Sequence, residues 1–209
     1  MKLTIFGATG RTGQPLLEQA LQANHEVTVL VRKPEKLTSA SDQLKIIQGD
    51  IADANKVGEA VAGCEGVISV LGPTSNEPVF AVSQGIKNII NTMDEHGVKR
   101  LIISAGAGVE DPNDEPKLIN KLISFALRTF NGNVYEDMVR TVDAVRNSDL
   151  DWTIVRVPML TDDPAKGNVK VAYVGKGMGS RITRADMAAF MLEQLDDEAY
   201  LHKAPAISN

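Results

Sequence analysis

The chain predicts an α/β fold, a doubly wound parallel sheet covered by helices on both faces. Three observations carry this expectation. Short apolar runs alternate with stretches of helical spacing along the first hundred residues. The runs are apolar at nearly every position, as strands buried on both faces are, where a half-exposed strand would alternate. The first run leads directly into glycines at 7, 10 and 13, which open the next helix.

Taken in order, Leu3, Ile5 and Phe6 suit a buried first strand, and a helix begins over Gln14 to Leu21. Glu26 to Val31 (EVTVLV) is rich in β-branched residues and reads as a second strand, after which Lys33-Pro34 opens a short helical segment to Leu37. Leu44 to Gln48 is a third strand, closed by Gly49-Asp50, and Asp53 can cap a helix carrying Val57 and Val61 on one face. Val67 to Leu71 is the fourth strand. Pro78 suits the first turn of a long helix whose Val79, Val82, Ile86, Ile89, Ile90 and Met93 recur at helical spacing until Gly97. Leu101 to Ser104 follows as the fifth strand.

The second half is less regular. Val109 to Pro116 reads as a polar, solvated loop; its acids lack the spacing of a calcium loop. Lys117 to Phe130 is helical, with Leu118, Leu122 and Ala126 on one stripe and Ile119, Ile123 and Phe130 beside it, and plain core or a dimer face is the favoured reading over a wall of the substrate pocket. Asn131-Gly132 ends it. Val134 to Asn147 is another helix, with Val134, Met138, Val142 and Val145 inward, leading to a sixth strand at Trp152 to Val157 that Pro158 stops. Val169 to Val174 is a further strand, Gly175 to Gly179 a turn, and Arg184 to Leu195 a helix started near Thr183. With no linker or repeat beyond these units, residues 1–209 are expected to form a single Rossmann-type domain with a small C-terminal, substrate-side portion.

Composition excludes several functions. A net charge of −5 with no basic cluster argues against a nucleic-acid partner. The single cysteine, Cys64, rules out an internal disulfide framework, fits a reducing, cytoplasmic setting and is expected to be a small buried thiol. No run approaches the roughly 18 apolar residues of a membrane span. His25, His96 and His202 show no metal-ligand spacing, so no metal is expected. Whether the chain is a monomer or a homodimer stays open.

The glycine-rich turn is where chemistry enters. Between a strand and a helix, it sets backbone N–H groups and the positive end of the helix dipole against an anion. Gly7 suits the tight turn, Gly10 close approach of a pyrophosphate, and Gly13 close packing of helix on sheet. The spacing is GxxGxxG. About 20 residues beyond such a turn, the end of the second strand meets the adenosine ribose, where an acid favours NAD and an arginine favours NADP. Arg32 stands there, followed by Lys33, and Arg11 within the turn adds positive charge, so NADPH is the preferred cofactor; a solvated basic pair is the alternative reading. Asp50 and Ile51 are placed to flank the adenine, though Asp50 equally suits a turn and helix cap. Leu71, Gly72 and Pro73 are placed to line the nicotinamide ribose.

FGATGRTG, EVTVLVRKPEKL, QGDIAD, VAGCEGVISVLG, SQGIKNIINTMDEHGVKRLI, LDWTIVRVP and ITRADMAAFML together resemble the atypical short-chain dehydrogenase/reductase superfamily of NAD(P)H-binding, NmrA-like type. Within it the likeness is to the NADPH-dependent flavin reductase (biliverdin-IXβ reductase) group. It covers nearly the whole chain, strongly over 3–103 and 150–192 and weakly over 105–134. The resemblance implies that Gly7, Ala8, Thr9, Gly10, Arg11, Thr12 and Gly13, with Arg32, Asp50, Leu71 and Gly72, contact NADPH, and that Pro158, Met159 and Leu160 border the nicotinamide.

One departure bears on the reaction. The superfamily places a lysine four residues after a catalytic tyrosine, because carbonyl reduction needs a proton donor beside a cation. Tyr135 falls where that tyrosine would, but position 139 is Val, and Arg140 should point elsewhere. Tyr135 is then either a residual catalytic residue or a pocket wall. Ser104, closing the fifth strand, either reaches the nicotinamide or substrate or is only a strand-end residue. A flavin or linear tetrapyrrole spreads incoming charge over its conjugated system, so the expected activity is hydride transfer from NADPH to such a small-molecule acceptor; a non-catalytic NADP-binding sensor is the alternative.

Overall fold

The computed structural model describes residues 1–73 and 75–209, with the side chains of Lys121 and Ile123 also excepted, so the expectation for Ile123 lies outside the described residues. The strands are β1 (Lys2–Phe6), β2 (Glu26–Val31), β3 (Leu44–Gln48), β4 (Gly66–Ser69), β5 (Arg100–Gly106), β6 (Asp151–Val157), β7 (Met159–Thr161), β8 (Lys170–Ala172), β9 (Arg181–Thr183) and β10 (Ala206–Ser208). The helices are α1 (Gly13–Gln22), α2 (Ala54–Val61), α3 (Ala81–His96), α4 (Leu118–Phe130), α5 (Gly132–Arg146) and α6 (Arg184–Glu193), with one 3₁₀ turn at Pro34–Lys36.

Eight strands form one sheet in the order β3-β2-β1-β4-β5-β6-β10-β8, parallel throughout except where β8 runs against β10. The order reverses between β1 and β4, which opens a crevice at the carboxyl ends of those strands. Alternate residues of β1 feed the two faces: Leu3 and Ile5 pack with Leu16, Leu17 and Ala20 of α1 and Met187 and Met191 of α6, while Phe6 packs with α2, α3 and α5. This two-sided burial is why the strands read as nearly continuous apolar runs.

Local signals set most helix ends. Asp53 accepts the N–H groups of Asn55 and Lys56 at 3.0 and 3.3 Å, and Thr183 accepts that of Asp186 at 3.0 Å, as N-caps do. Gly97 closes α3 in the left-handed conformation. Three expectations need correction. The helix anticipated from Pro78 begins at Ala81, because Phe80 takes a left-handed conformation (φ 50°) that no helix can include. Cys64 is half-buried, and burial pushes its thiol above the ordinary cysteine range. The face of α4 formed by Leu118, Ile119, Leu122, Phe125 and Phe130 is exposed, so plain core packing, one of its two favoured readings, does not hold. Its apolar stripe is broad and set off from a polar side carrying Asn120, Ser124 and Arg128, and docking on α5 leaves most of that stripe uncovered. No helix among the described residues is long and apolar enough to cross a membrane.

Candidate dinucleotide site

The glycine turn has the geometry an anion needs. Gly7 has a φ of +88°, and Gly10 donates to its carbonyl at 3.0 Å, folding the turn back on itself. At Gly13 a Cβ would stand 2.0 Å from the Gly7 carbonyl oxygen, so only glycine lets α1 start this close to the strand end. No side chain caps α1 and its first turn carries no acid, which leaves the positive helix end facing outward.

A cleft of about 220 Å³ opens beside this turn. It gathers Gly7, Thr9, Arg32, Asp50, Ile51, Leu71, Gly72 and Pro73, residues drawn from four separate strand ends. Ala8 and Gly13 are buried behind it, while Gly10, Arg11 and Lys33 are exposed and Thr12 is half-exposed at the turn or the end of β2. Arg32 lies 4.0 Å from Asp50, with its side chain 74% exposed, so its guanidinium can reorient toward a ligand at small cost. Asp50 also accepts the Ala52 N–H at 2.9 Å, so the turn-and-cap reading describes part of its role. Arg11 differs from expectation: it is paired with Asp162, whose other oxygen takes Arg184 at 2.7 Å. The Arg11 hydrogen bond foremost, helped by the charges of Arg184 and Arg11, holds the Asp162 carboxyl below its ordinary range against the opposing effect of desolvation.

The far wall of the cleft was not anticipated from sequence. Asp137 of α5 is buried and accepts the N–H groups of Val82 and Ser83 at 3.2 and 2.9 Å, supplying from another helix the cap that α3 lacks. Its sequence signal is an acid on the inward stripe with Val134, Thr141 and Val145, since a buried carboxylate needs donors. Phe80 lines the same wall, with the Arg140 guanidinium 4.0 Å from its ring centroid. The loop before it is tied to the α4–α5 junction through Asn76, which accepts from Val134 N–H at 3.2 Å and from the Asn133 amide at 2.8 Å.

Ser104, Tyr135, Pro158, Met159 and Leu160 do not line this cleft. Ser104 is half-buried on β5 opposite Val155, beyond the last residue of β4, and Met159 is exposed on β7 just past the end of β6. Pro158, between β6 and β7, and Leu160 on β7 are half-buried. Tyr135 accepts a hydrogen bond from Arg128 at 2.9 Å, and that guanidinium also binds Glu110 at 2.5 Å. Arg140 turns instead to Glu136 and Phe80, so the cation beside Tyr135 comes from α4, outside the helical spacing a sequence search would scan.

The loop after β5 is solvated, as expected, at Glu110, Pro112, Asn113, Glu115 and Pro116, but two of its acids turn inward. Asp114 and Asp111 are held by Arg156 and Arg146, and their side chains are only 8% and 6% exposed. Arg156, fully buried, also donates to the carbonyls of Ala204 and Val109 at 2.8 and 3.0 Å. This fixes the loop to β6 beside the carboxyl edge of the sheet.

Similarity to known proteins agrees with this geometry. An oxidoreductase of Aspergillus parasiticus, aflX, is 27% identical over 220 residues, spanning 95% of this chain and 80% of its own length. A short-chain dehydrogenase/reductase of Veillonella parvula, solved in complex with NADP, superposes with a TM-score of 0.82 at 19% identity, covering 100% of this chain and 94% of that one. ChuY of Escherichia coli O157:H7, described as an anaerobillin reductase, superposes with a TM-score of 0.81 at 22% identity, covering 99% and 96%. The family model described as NAD(P)H-binding matches residues 7–198, from the first glycine of the turn to beyond α6. With the glycine turn, the uncapped helix end and the crevice at the strand reversal, this match establishes that the chain belongs to the NAD(P)H-binding family.

Proposed function

We propose that this protein is an NADPH-dependent reductase that passes hydride to a conjugated small-molecule acceptor, a flavin or a linear tetrapyrrole. The carrying observation is Arg32 at the end of β2, exposed at the same cleft as the glycine turn. A guanidinium there meets the 2′-phosphate of NADP bidentately, and would leave the free ribose hydroxyl of NAD without the acid that recognises it. The names of aflX and ChuY support reduction as the reaction. Val139 in place of a lysine favours an acceptor whose own conjugation takes up charge. The exposed apolar residues of α4 suit a flat acceptor. In this reading Gly7 to Gly13 bind the pyrophosphate, Asp50 and Ile51 flank the adenine, and Leu71, Gly72 and Pro73 line the nicotinamide ribose. Ser104, Pro158, Met159 and Leu160 border the nicotinamide, and Tyr135 walls the acceptor pocket.

Steady-state NADPH oxidation with FMN, riboflavin and biliverdin as separate acceptors tests this. Turnover with at least one of them, faster with NADPH than NADH, is the expected result. Tight NADPH binding with no turnover on any of the three would replace the reductase by a redox sensor.

A further inference from the structure

Arg11 sits in the turn after β1, and Asp162 follows β7 just beyond the end of β6. Sheet order separates β1 from β6 by β4 and β5, so a link between these two residues bridges the carboxyl edge on the side where α1 and α6 pack together. Asp162 is not a casual surface partner. Each of its oxygens receives a different guanidinium, Arg11 on one and Arg184 on the other. Arg184 opens α6 and has its side chain only 14% exposed, so one end of the bridge is anchored in the protein body. The other end, Arg11, belongs to the turn whose N–H groups face the anion site.

From this arrangement we infer that Arg11, Asp162 and Arg184 form an ionic strap across the bound dinucleotide at its pyrophosphate, and that Asp162 is a positioning residue which retains the cofactor by holding the glycine turn to the segment after β6. The inference rests on the family's cofactor lying along the glycine turn, and does not depend on which acceptor is reduced. A dinucleotide whose pyrophosphate lies along the glycine turn would be covered at this edge by the Arg11–Asp162 contact, and parting the two residues would open that edge for release. Because the Arg11–Asp162 contact is exposed, salt screens it, so release should quicken as ionic strength rises.

The test is the rate of dinucleotide release from the full chain, measured by stopped-flow fluorescence after loading with NADPH and chasing with excess NADP⁺. Asp162→Asn removes the charge and keeps the shape. It should raise the release rate about fivefold, the upper end for an exposed ion pair. Raising salt from about 0.05 to about 0.5 M, which shortens the Debye length from roughly 14 to roughly 4 Å, should accelerate wild-type release more than that of Asp162→Asn, whose remaining salt response comes from the other phosphate contacts. In an Arg11→Met background, Asp162→Asn should have no further effect, which a merely structural role would not produce. An unchanged release rate in Asp162→Asn overturns the strap. So does a slower rate, which would mean that Asp162 competes with the cofactor's phosphates for Arg11. Turnover is not read in this experiment, so an absence of reductase activity leaves its outcome intact.

Discussion

Arg156 holds Asp114 through both carboxylate oxygens, at 2.7 and 2.8 Å, in a pair whose side chains are 0% and 8% exposed. Such a pair contributes little over a well-packed apolar replacement, but removing one member strands a charge in the interior. Asp114→Ala should therefore cost about 3 to 5 kcal/mol in urea unfolding, the range for breaking a buried pair. The loss also frees the N–H groups of Asp111 and Val174, which Asp114 accepts at 3.0 and 2.9 Å. A cost below about 1 kcal/mol would place the pair among weak surface bridges.

Gly13→Ala tests the turn. With its Cβ 2.0 Å from a backbone oxygen and 2.7 Å from the Ala8 Cα, the change must push α1 away from β1. Overpacking of this kind costs about 1 to 3 kcal/mol, and the displaced N–H groups should weaken NADPH binding as well. Titration of the folded variant by calorimetry separates the two effects.

Arg32→Asp should weaken NADPH binding by about 1.5 to 3 kcal/mol, the scale of a charge-assisted hydrogen bond, and improve relative use of NADH. Lys33→Ala should do less. Thermal stability should barely move, because the Arg32–Asp50 contact is long and exposed. Equal wild-type affinity for NADH and NADPH would remove the cofactor preference.

Tyr135→Phe deletes the hydroxyl that Arg128 binds. If the acceptor takes its proton from water, turnover stays within a few-fold of wild type, whereas loss of a general acid lowers it about 10² to 10⁴-fold. A fall of that size with unchanged NADPH affinity would assign the proton to Tyr135, with Arg128 in place of the absent lysine.

The parts legible in the sequence are those whose cause is local. Six strands, the caps at Asp53 and Thr183 and the glycine turn each follow from a few adjacent residues. β7, β9 and β10 were missed because three residues carry too little pattern, and only pairing across the chain defines them. The exposed face of α4 was missed for a different reason: an apolar stripe predicts a covered side, and says nothing of whether this chain itself supplies the cover. Asp114 and Asp162 read as ordinary acids in polar company, and Asp137 as an acid on an inward stripe whose donors the sequence does not name. Their partners, Arg156, Val82 with Ser83, and Arg11 with Arg184, are remote in sequence and known only from the fold.

The last residue to line the dinucleotide cleft is Asp137, and its task there is to cap α3. In chain order, the strands that frame the crevice and the helix that walls it all precede β6. The glycine turn and Arg32 precede it too, and the segment that meets Arg11 comes afterwards, so in the order of synthesis this protein has the residues proposed to grip a dinucleotide's phosphates before it has the one proposed to strap them in.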